Sequence, residues 1–244
     1  MSDHIAKDAA TREATQDPLL RENARLRGDL LTLAGRVSHD LRTPLSGIVH
    51  TGDLLKEILL EKEPAAAALT DSLFTSVDEI NKLIGQIHVI TKASADPKPK
   101  ARVNLAEIVS GVLQQLESRI LKKSATVAEP ASWPEVNGVA DWLEFIWRNL
   151  VANALQHAGD QPQIELSWRP ENDGYRFQVC DNGVGVSAAV RARLFQPFDS
   201  LHKPGSACGL GLSVVQRLVD LQGGHCGYEP NLRGGACFYF TLPA

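Results

Sequence analysis

The sequence predicts an α-helical hairpin forming a dimeric four-helix bundle, followed by an α+β two-layer sandwich. Three observations predict it. Apolar residues recur at helical spacings of 3 and 4 from Leu26 to Ile87. "SADPKPK" (Ser94 to Lys100) then interrupts the pattern with prolines and lysines, the composition of a linker. Beyond it, helical stretches mix with alternating strands joined by Gly- and Asn-containing turns, as in a sandwich of one sheet and one helical layer.

Residues 1–17 are polar with no apolar period, and are expected to be a disordered or frayed lead-in. The helical hairpin takes residues 18–95. Its first helix carries Leu26, Leu30, Leu33 and Val37, a heptad seam that predicts coiled-coil input from upstream or from a partner in trans. The stripe continues through Leu41, Leu45, Ile48, Leu55 and Leu59, giving one helix of about forty residues. "EKEP" (Glu61 to Pro64) breaks it. The second helix carries Leu69, Leu73, Val77, Ile80, Ile84 and Ile87. One hairpin cannot bury seams this long, so a homodimer of hairpins is the natural solution. The alternative is a monomeric hairpin packed on the rest of the chain.

The linker is placed at residues 96–101 and the sandwich at 102–244. Asn104 can cap a helix carrying Leu105, Ile108, Val109 and Leu113. A second helix is expected from about Trp142 to His157. "IELSW" alternates apolar and polar residues, and "NDG" (Asn172 to Gly174) turns the chain into "YRFQVCD", a hairpin signal. "LGLSVVQRLVDLQ" reads as a helix and "CFYFTL" as a final strand.

Bulk composition narrows the class. With 244 residues, 43% of them hydrophobic, the chain has length for one large or two modest domains. A formal net charge of -4 argues against a nucleic-acid-binding surface. Cys180, Cys208, Cys226 and Cys237 show no metal-like pairing, and no signal peptide is apparent, so reduced thiols in a cytoplasmic protein are expected. No apolar run approaches the roughly 20 residues that span a bilayer.

Four constellations carry chemistry. In "SHDLRTPL", Thr43 lies one helical turn below His39, and Asp40 can reach the imidazole. A carboxylate beside a histidine fixes its tautomer and raises its basicity, which suits a nucleophile. "HD" alone is more ordinarily a solvated helix surface. Pro44 shifts that reading, because it deprives the Asp40 carbonyl of its helical donor and bends the helix beside His39. In "NLVANALQHA", Asn149 and Asn153 share a helix face, where two amides can serve a hard cation and phosphate oxygens. They read equally well as polar surface residues. In "VCDNGVGV", a strand ends at Asp181, and Gly183 and Gly185 permit a tight turn near a ligand whose exocyclic amine the carboxylate could accept. In "GSACGLGLSVV", Gly209 and Gly211 sit where a loop feeds a helix, a position suited to anions. Phe195 and Phe198 stand at the base of that lid-like loop, where core anchoring is an equal reading.

Taken in order, these stretches resemble the motifs of bacterial two-component sensor histidine kinases. "SHDLRTPL" resembles the H box, "NLVANA" the N box, "DNGVG" the G1 box, "LFQPF" the F box and "GLGLSVV" the G2 box. The resemblance covers about residues 25–244. It implies a HisKA-type dimerisation and phosphotransfer hairpin followed by an ATP-binding domain of the GHKL/Bergerat fold. It also implies that His39 accepts the γ-phosphoryl group of ATP, that Asp40 activates it, and that Thr43 helps position water for dephosphorylating the partner. Asn153 would hold Mg2+, assisted by Asn149. Asp181 would bind the adenine amine, Gly183 and Gly185 would shape its pocket, and Gly209, Leu210 and Gly211 would approach the phosphates; His157 and Phe198 complete the implied nucleotide site. The implied partner is a response-regulator receiver domain.

The sequence departs from the family pattern at four places. Ala207 replaces the first glycine of the G2 run, with Cys208 next. Cys237 stands where a threonine is common, and Gln156 where a basic residue often follows the N box, although His157 comes next. Two further functions compete with ATP-dependent autophosphorylation: a phosphotransfer hub or partner-binding scaffold of the same fold, and a net phosphatase. ATPases of the chaperone, mismatch-repair and topoisomerase types share the ATP fold but lack the H-box hairpin.

Overall fold

A computed structural model describes Gly35, Ser38, Leu41, residues 45–57, Leu59, and residues 64–96, 98–159, 161–196 and 210–244. The chain divides into two compact units, Met1–Pro97 and Lys98–Ala244.

In the first unit, residues 45–57 are helical (α1), and α2 spans Pro64–Ala95. Proline suits the first position of a helix, where its missing N–H would have no partner. Leu45, Val77 and Ile84 form a small buried cluster with Val49 packed against it. At Gly52 a Cβ would lie 2.8 Å from Phe74 Cε1, so the glycine lets that ring lie close against α1. The apolar residues expected on α2 form two rows. Val77 and Ile84 face inward, while Leu73, Ile80 and Ile87, spaced by seven, are each more than 40% exposed. Leu41, Ile48 and Leu55 form a matching exposed row, also spaced by seven. The side chain of Leu69 and the residues Glu61 to Glu63 lie outside the described residues, as does the heptad seam from Leu26 to Leu33.

The second unit contains β1 (Ala101–Asn104), α3 (Leu105–Lys122), β2 (Thr126–Ala128), β3 (Glu135–Gly138) and α4 (Ala140–His157). The β4–β5 hairpin (Gln163–Glu171 and Gly174–Asp181), the single turn α5 (Ala188–Arg191), α6 (Gly211–Leu221), β6 (Cys226–Pro230) and β7 (Ala236–Pro243) follow. The main sheet is mixed, in the order β2-β4-β5-β7-β6, with β2 parallel to β4 and the other pairs antiparallel. β1 and β3 form a separate antiparallel pair. The helices α3, α4 and α6 make the second layer.

Local chemistry explains the elements that position the site. The Asn104 side chain accepts from Ala106 N and donates to Glu107 Oε1, closing the start of α3 in both directions. Buried Leu105, Val109, Val112 and Leu116 then follow at helical spacing, with Ile108 and Leu113 at the margins. Trp147, fully buried on α4, meets Trp133, Phe177 and Phe240 edge-on at 5.2, 6.1 and 5.4 Å, and Phe177 stacks on Phe240 at 5.0 Å. This aromatic block fixes α4 against β5 and β7. Gln222, also fully buried, accepts from Val139 N and donates to Leu218 O, tying the end of α6 to the start of α4. Asn172, at φ 52°, makes the turn between β4 and β5, as its type allows.

Strand alternation sends Phe177, Val179 and Asp181 toward the helices, and Arg176, Gln178 and Cys180 to the other face. On that face Arg176 lies over the Tyr239 ring at 3.5 Å and pairs with Glu229 at 2.7 Å. The expectation of four reduced thiols needs correction. Cys180 and Cys237 are directly opposite in the β5–β7 register and are joined by a disulfide. Residues 57 apart in sequence become neighbours only through the sheet, so their spacing along the chain carries no sign of the pairing. Cys226 is free.

Candidate functional site

The end of β5 gathers the best-defined polar cluster in the second unit. Asp181 is only 3% exposed. Its Oδ1 accepts from Gly183 N at 2.8 Å and from Ala236 N at 3.3 Å. Its backbone carbonyl accepts from Asn231 Nδ2 at 2.8 Å. Burial pushes its carboxyl above the ordinary 3.8; the Gly183 and Ala236 amides and the nearby His157 pull it partly back. Both hydrogen bonds to the carboxylate fall on Oδ1. Among the described residues Oδ2 has no hydrogen-bond partner, so this largely buried side chain keeps one acceptor oxygen for an amine brought by a ligand.

Glycines let the backbone close around this carboxylate. A Cβ on Gly183 would lie 2.3 Å from the His157 carbonyl oxygen, so the turn after β5 packs directly on the end of α4. A Cβ on Gly235 would lie 2.0 Å from the Asp181 carbonyl oxygen. Gly185 has φ 70° and sits beside the Gly235 carbonyl. Tyr228 Oη accepts from Val186 N at 3.3 Å and so tethers the same turn to β6.

α4 supplies the next wall. Asn149, Asn153 and His157 follow one another at one-turn intervals toward its C-terminal end. Asn149 and Asn153 are half-buried and His157 is exposed. They are not equivalent. Asn149 Nδ2 donates to Phe145 O at 2.8 Å, so its amide is partly spent on its own helix. The Asn153 side chain has no hydrogen-bond partner among the described residues, which frees its amide oxygen for a hard cation and its amide N–H for a phosphate.

Leu210, 3% exposed, precedes α6, which begins at Gly211. Leu210 O accepts from Val214 N and Ser213 Oγ at 2.9 Å each, which fixes the first turn and leaves its leading N–H groups for an anion. The donor set therefore fits a purine nucleotide with a Mg2+-bound phosphate chain: a buried carboxylate for the exocyclic amine, an amide oxygen for the metal, and a helix start for phosphate. His39, Asp40, Thr43, Phe198 and Gly209 lie outside the described residues, as do Pro44, Ala207 and Cys208.

Gly235, Ala236, Asn231 and Tyr228 were not singled out as site residues in the sequence. Gly235 alone left a signal there, in the "GG" opening the terminal strand. Cys237, which stands where the family commonly has a threonine, lies with Cys180 on the sheet face opposite Asp181 by strand alternation.

This fold and site define an ATPase-type sandwich preceded by a helical hairpin. Residues 138–244 match the family model of histidine kinase-, DNA gyrase B- and HSP90-like ATPases, and residues 29–95 match that of the His Kinase A (phospho-acceptor) domain. The chain belongs to the two-component sensor histidine kinases. It is 28% identical over 210 residues to the methanogenesis regulatory histidine kinase FilI of Methanothrix harundinacea, covering 85% of this chain and 24% of that protein. It is 29% identical over 215 residues to the alginate biosynthesis sensor protein KinB of Pseudomonas aeruginosa, covering 85% of this chain and 36% of that one. The chain thus spans about a quarter to a third of the length of these relatives. Among solved structures, full-length ShkA in complex with AMPPNP aligns with a TM-score of 0.66 at 26% identity, over 86% of this chain and 45% of ShkA. No helix among the described residues is long and apolar enough to cross a membrane.

Proposed function

We propose that this chain is an ATP-dependent protein-histidine kinase core that autophosphorylates on His39 and passes the phosphoryl group to an aspartate of a response-regulator receiver domain. The observation that carries the nucleotide half is Asp181: a buried carboxylate with one oxygen unused, framed by glycine backbone at a strand end. Gly183 and Gly185 admit the base beside it. Asn153 would hold Mg2+, which when bound neutralises phosphate charge; Asn149 supports that face, and Leu210 and Gly211 present amides to the phosphates. Phe198 and Gly209 are assigned to the same site by their place in the F-box and G2-box stretches. Phosphoryl transfer asks the protein chiefly for alignment and charge stabilisation, which this donor set can supply.

On the acceptor side, the His39 ring nitrogen forms the bond to phosphorus as the bond to the ADP oxygen breaks, and Asp40 takes up the imidazolium charge. Thr43 would orient a water at the receiver's phosphoaspartate, giving the protein a phosphatase activity as well. Incubation with Mg2+ and γ-labelled ATP should place acid-labile, alkali-stable label on the chain. His39→Gln should remove all of it, and persistence of that label would sink the assignment. In the same assay, Thr43→Ala should slow loss of label from a phosphorylated receiver while sparing His39; an unchanged rate would remove Thr43 from that role.

The two exposed heptad rows, Leu41-Ile48-Leu55 and Leu73-Ile80-Ile87, support a homodimer through the hairpin. Light scattering should return twice the chain's 26.5 kDa. A mass of one chain at micromolar concentration would return the hairpin to a monomeric role.

A further inference from the structure

The nucleotide reading leaves one reactive group beside the site without a role. Cys180 precedes Asp181, and Cys237 follows Ala236, whose N–H donates to Asp181 Oδ1. The disulfide between them closes the last pair of the β5–β7 register, with Cα atoms 4.0 Å apart. Past this pair, the two chains are held at Asp181 by the Ala236 N–H, the Asn231 amide and the close seat of Gly235 on the Asp181 carbonyl. One covalent bond therefore sits directly behind the contacts that orient the carboxylate. It lies on the sheet face away from the helices, with Cys180 partly exposed and Cys237 8% exposed, so a reagent can reach the bond without entering the site. Cys226 is a poor competitor for exchange: burial and Asp220 push its thiol up to about 12.

We propose that the Cys180–Cys237 bond is a reversible modification site that sets nucleotide affinity, the closed bond holding Asp181 in its binding position. This rests on Asp181 being the adenine acceptor. A small dithiol opens the bond: its thiolate attacks one sulfur and expels the other cysteine as thiolate. The second thiol then displaces the first cysteine, leaving two protein thiols and one oxidised, cyclic reagent. Hydrogen peroxide closes it. One cysteine thiolate becomes a sulfenic acid with release of hydroxide, and the other displaces water from it, so two thiols and one peroxide give one disulfide and two waters. Once open, the β5 and β7 ends are joined only by hydrogen bonds, and the carboxylate loses its fixed backing.

The test uses the full chain carrying Cys208→Ser, so that only the pair and Cys226 remain. Thiols counted in denaturant should number one in the oxidised protein and three after dithiol treatment. Calorimetric titration with Mg2+ and a non-hydrolysable ATP analogue should show about 5- to 50-fold weaker binding in the reduced form, restored by peroxide. Adding Cys237→Ser should fix the affinity at the reduced value whatever the oxidant; should that variant not fold, the reduced parent makes the same comparison. Equal affinities in two forms that differ by two thiols overturn the proposal and leave the nucleotide reading intact. Three thiols in peroxide-treated protein overturn it as well, by removing the bond. If neither form binds the analogue, the nucleotide reading falls and the proposal with it.

Discussion

Asp181→Asn should raise the melting temperature of the second unit at neutral pH while weakening ATP binding by about 10- to 100-fold, the worth of a hydrogen bond to a charged partner. The two effects have one cause. The Asp181 carboxyl is buried, and burial holds its pKa above the ordinary value despite the two backbone donors and His157. The sign follows from proton binding. Between the unfolded pKa of about 3.9 and the higher folded one, the folded state keeps a proton that the unfolded chain has shed, so stability falls as pH rises across that window. Above it the charged form carries the full burial cost. Asparagine keeps an oxygen for the Gly183 and Ala236 amides and removes the charge, so the variant should be more stable by a few degrees at pH 7. The advantage should vanish as the pH is lowered through about 4. Calorimetry of the full chain at both pH values, with a nucleotide titration at pH 7, checks both parts. A lower melting temperature at pH 7 with unchanged nucleotide affinity would mean that Asp181 is a structural carboxylate and not the acceptor of the site.

The sequence exposed the parts of this protein that depend on local chemistry. Asn104 does cap α3, "NDG" does turn β4 into β5, and the helices ending at His157 and beginning at Gly211 lie where periodicity and glycine placed them. Asp181 was visible because a carboxylate followed by glycines at a strand end is a local pattern. What the sequence concealed depends on pairings distant along the chain. β1, β2 and β3 are only three or four residues long, too short for alternation to register, and exist because they have partners. Ala236 donates to Asp181 from 55 residues away through its backbone, so its side-chain identity carries no signal of the role. The Cys180–Cys237 pair is hidden for the same reason. Gln222 reads as a polar residue ending a helix, yet it is buried and joins α6 to α4. The split of the α2 stripe into inward and outward rows likewise required the position of α1. Sequence patterns thus disclosed Asp181 and the asparagines of α4, and the sheet disclosed what holds Asp181 in place.

That dependence makes Gly235 a sharper probe of the site than the polar residues around it. Gly234 and Gly235 both have positive φ, at 94° and 102°, so alanine at either position bears a similar backbone penalty. Their surroundings differ completely. A Cβ on Gly234 would meet nothing within 4 Å, whereas one on Gly235 would lie 2.0 Å from the Asp181 carbonyl oxygen and 2.8 Å from Gly183 N. Those neighbours are backbone and cannot swing aside, so the strand start must shift away from β5. Gly234→Ala should therefore cost about 1 kcal/mol from conformation alone. Gly235→Ala should cost about 3 kcal/mol, adding overpacking to the same strain, and should lower the melting temperature of the second unit by roughly 6–12 °C. The larger consequence should appear in binding. Moving Gly235 displaces Ala236, whose N–H fixes Asp181 Oδ1, so nucleotide affinity should fall even at temperatures where the variant is fully folded. Gly234→Ala, equally strained and further from Asp181, should bind as the parent does. Paired calorimetric scans and titrations of the two variants separate close approach from backbone strain. If they proved equally stable and equally competent, the packing of β7 on the Asp181 carbonyl would have no part in shaping the site.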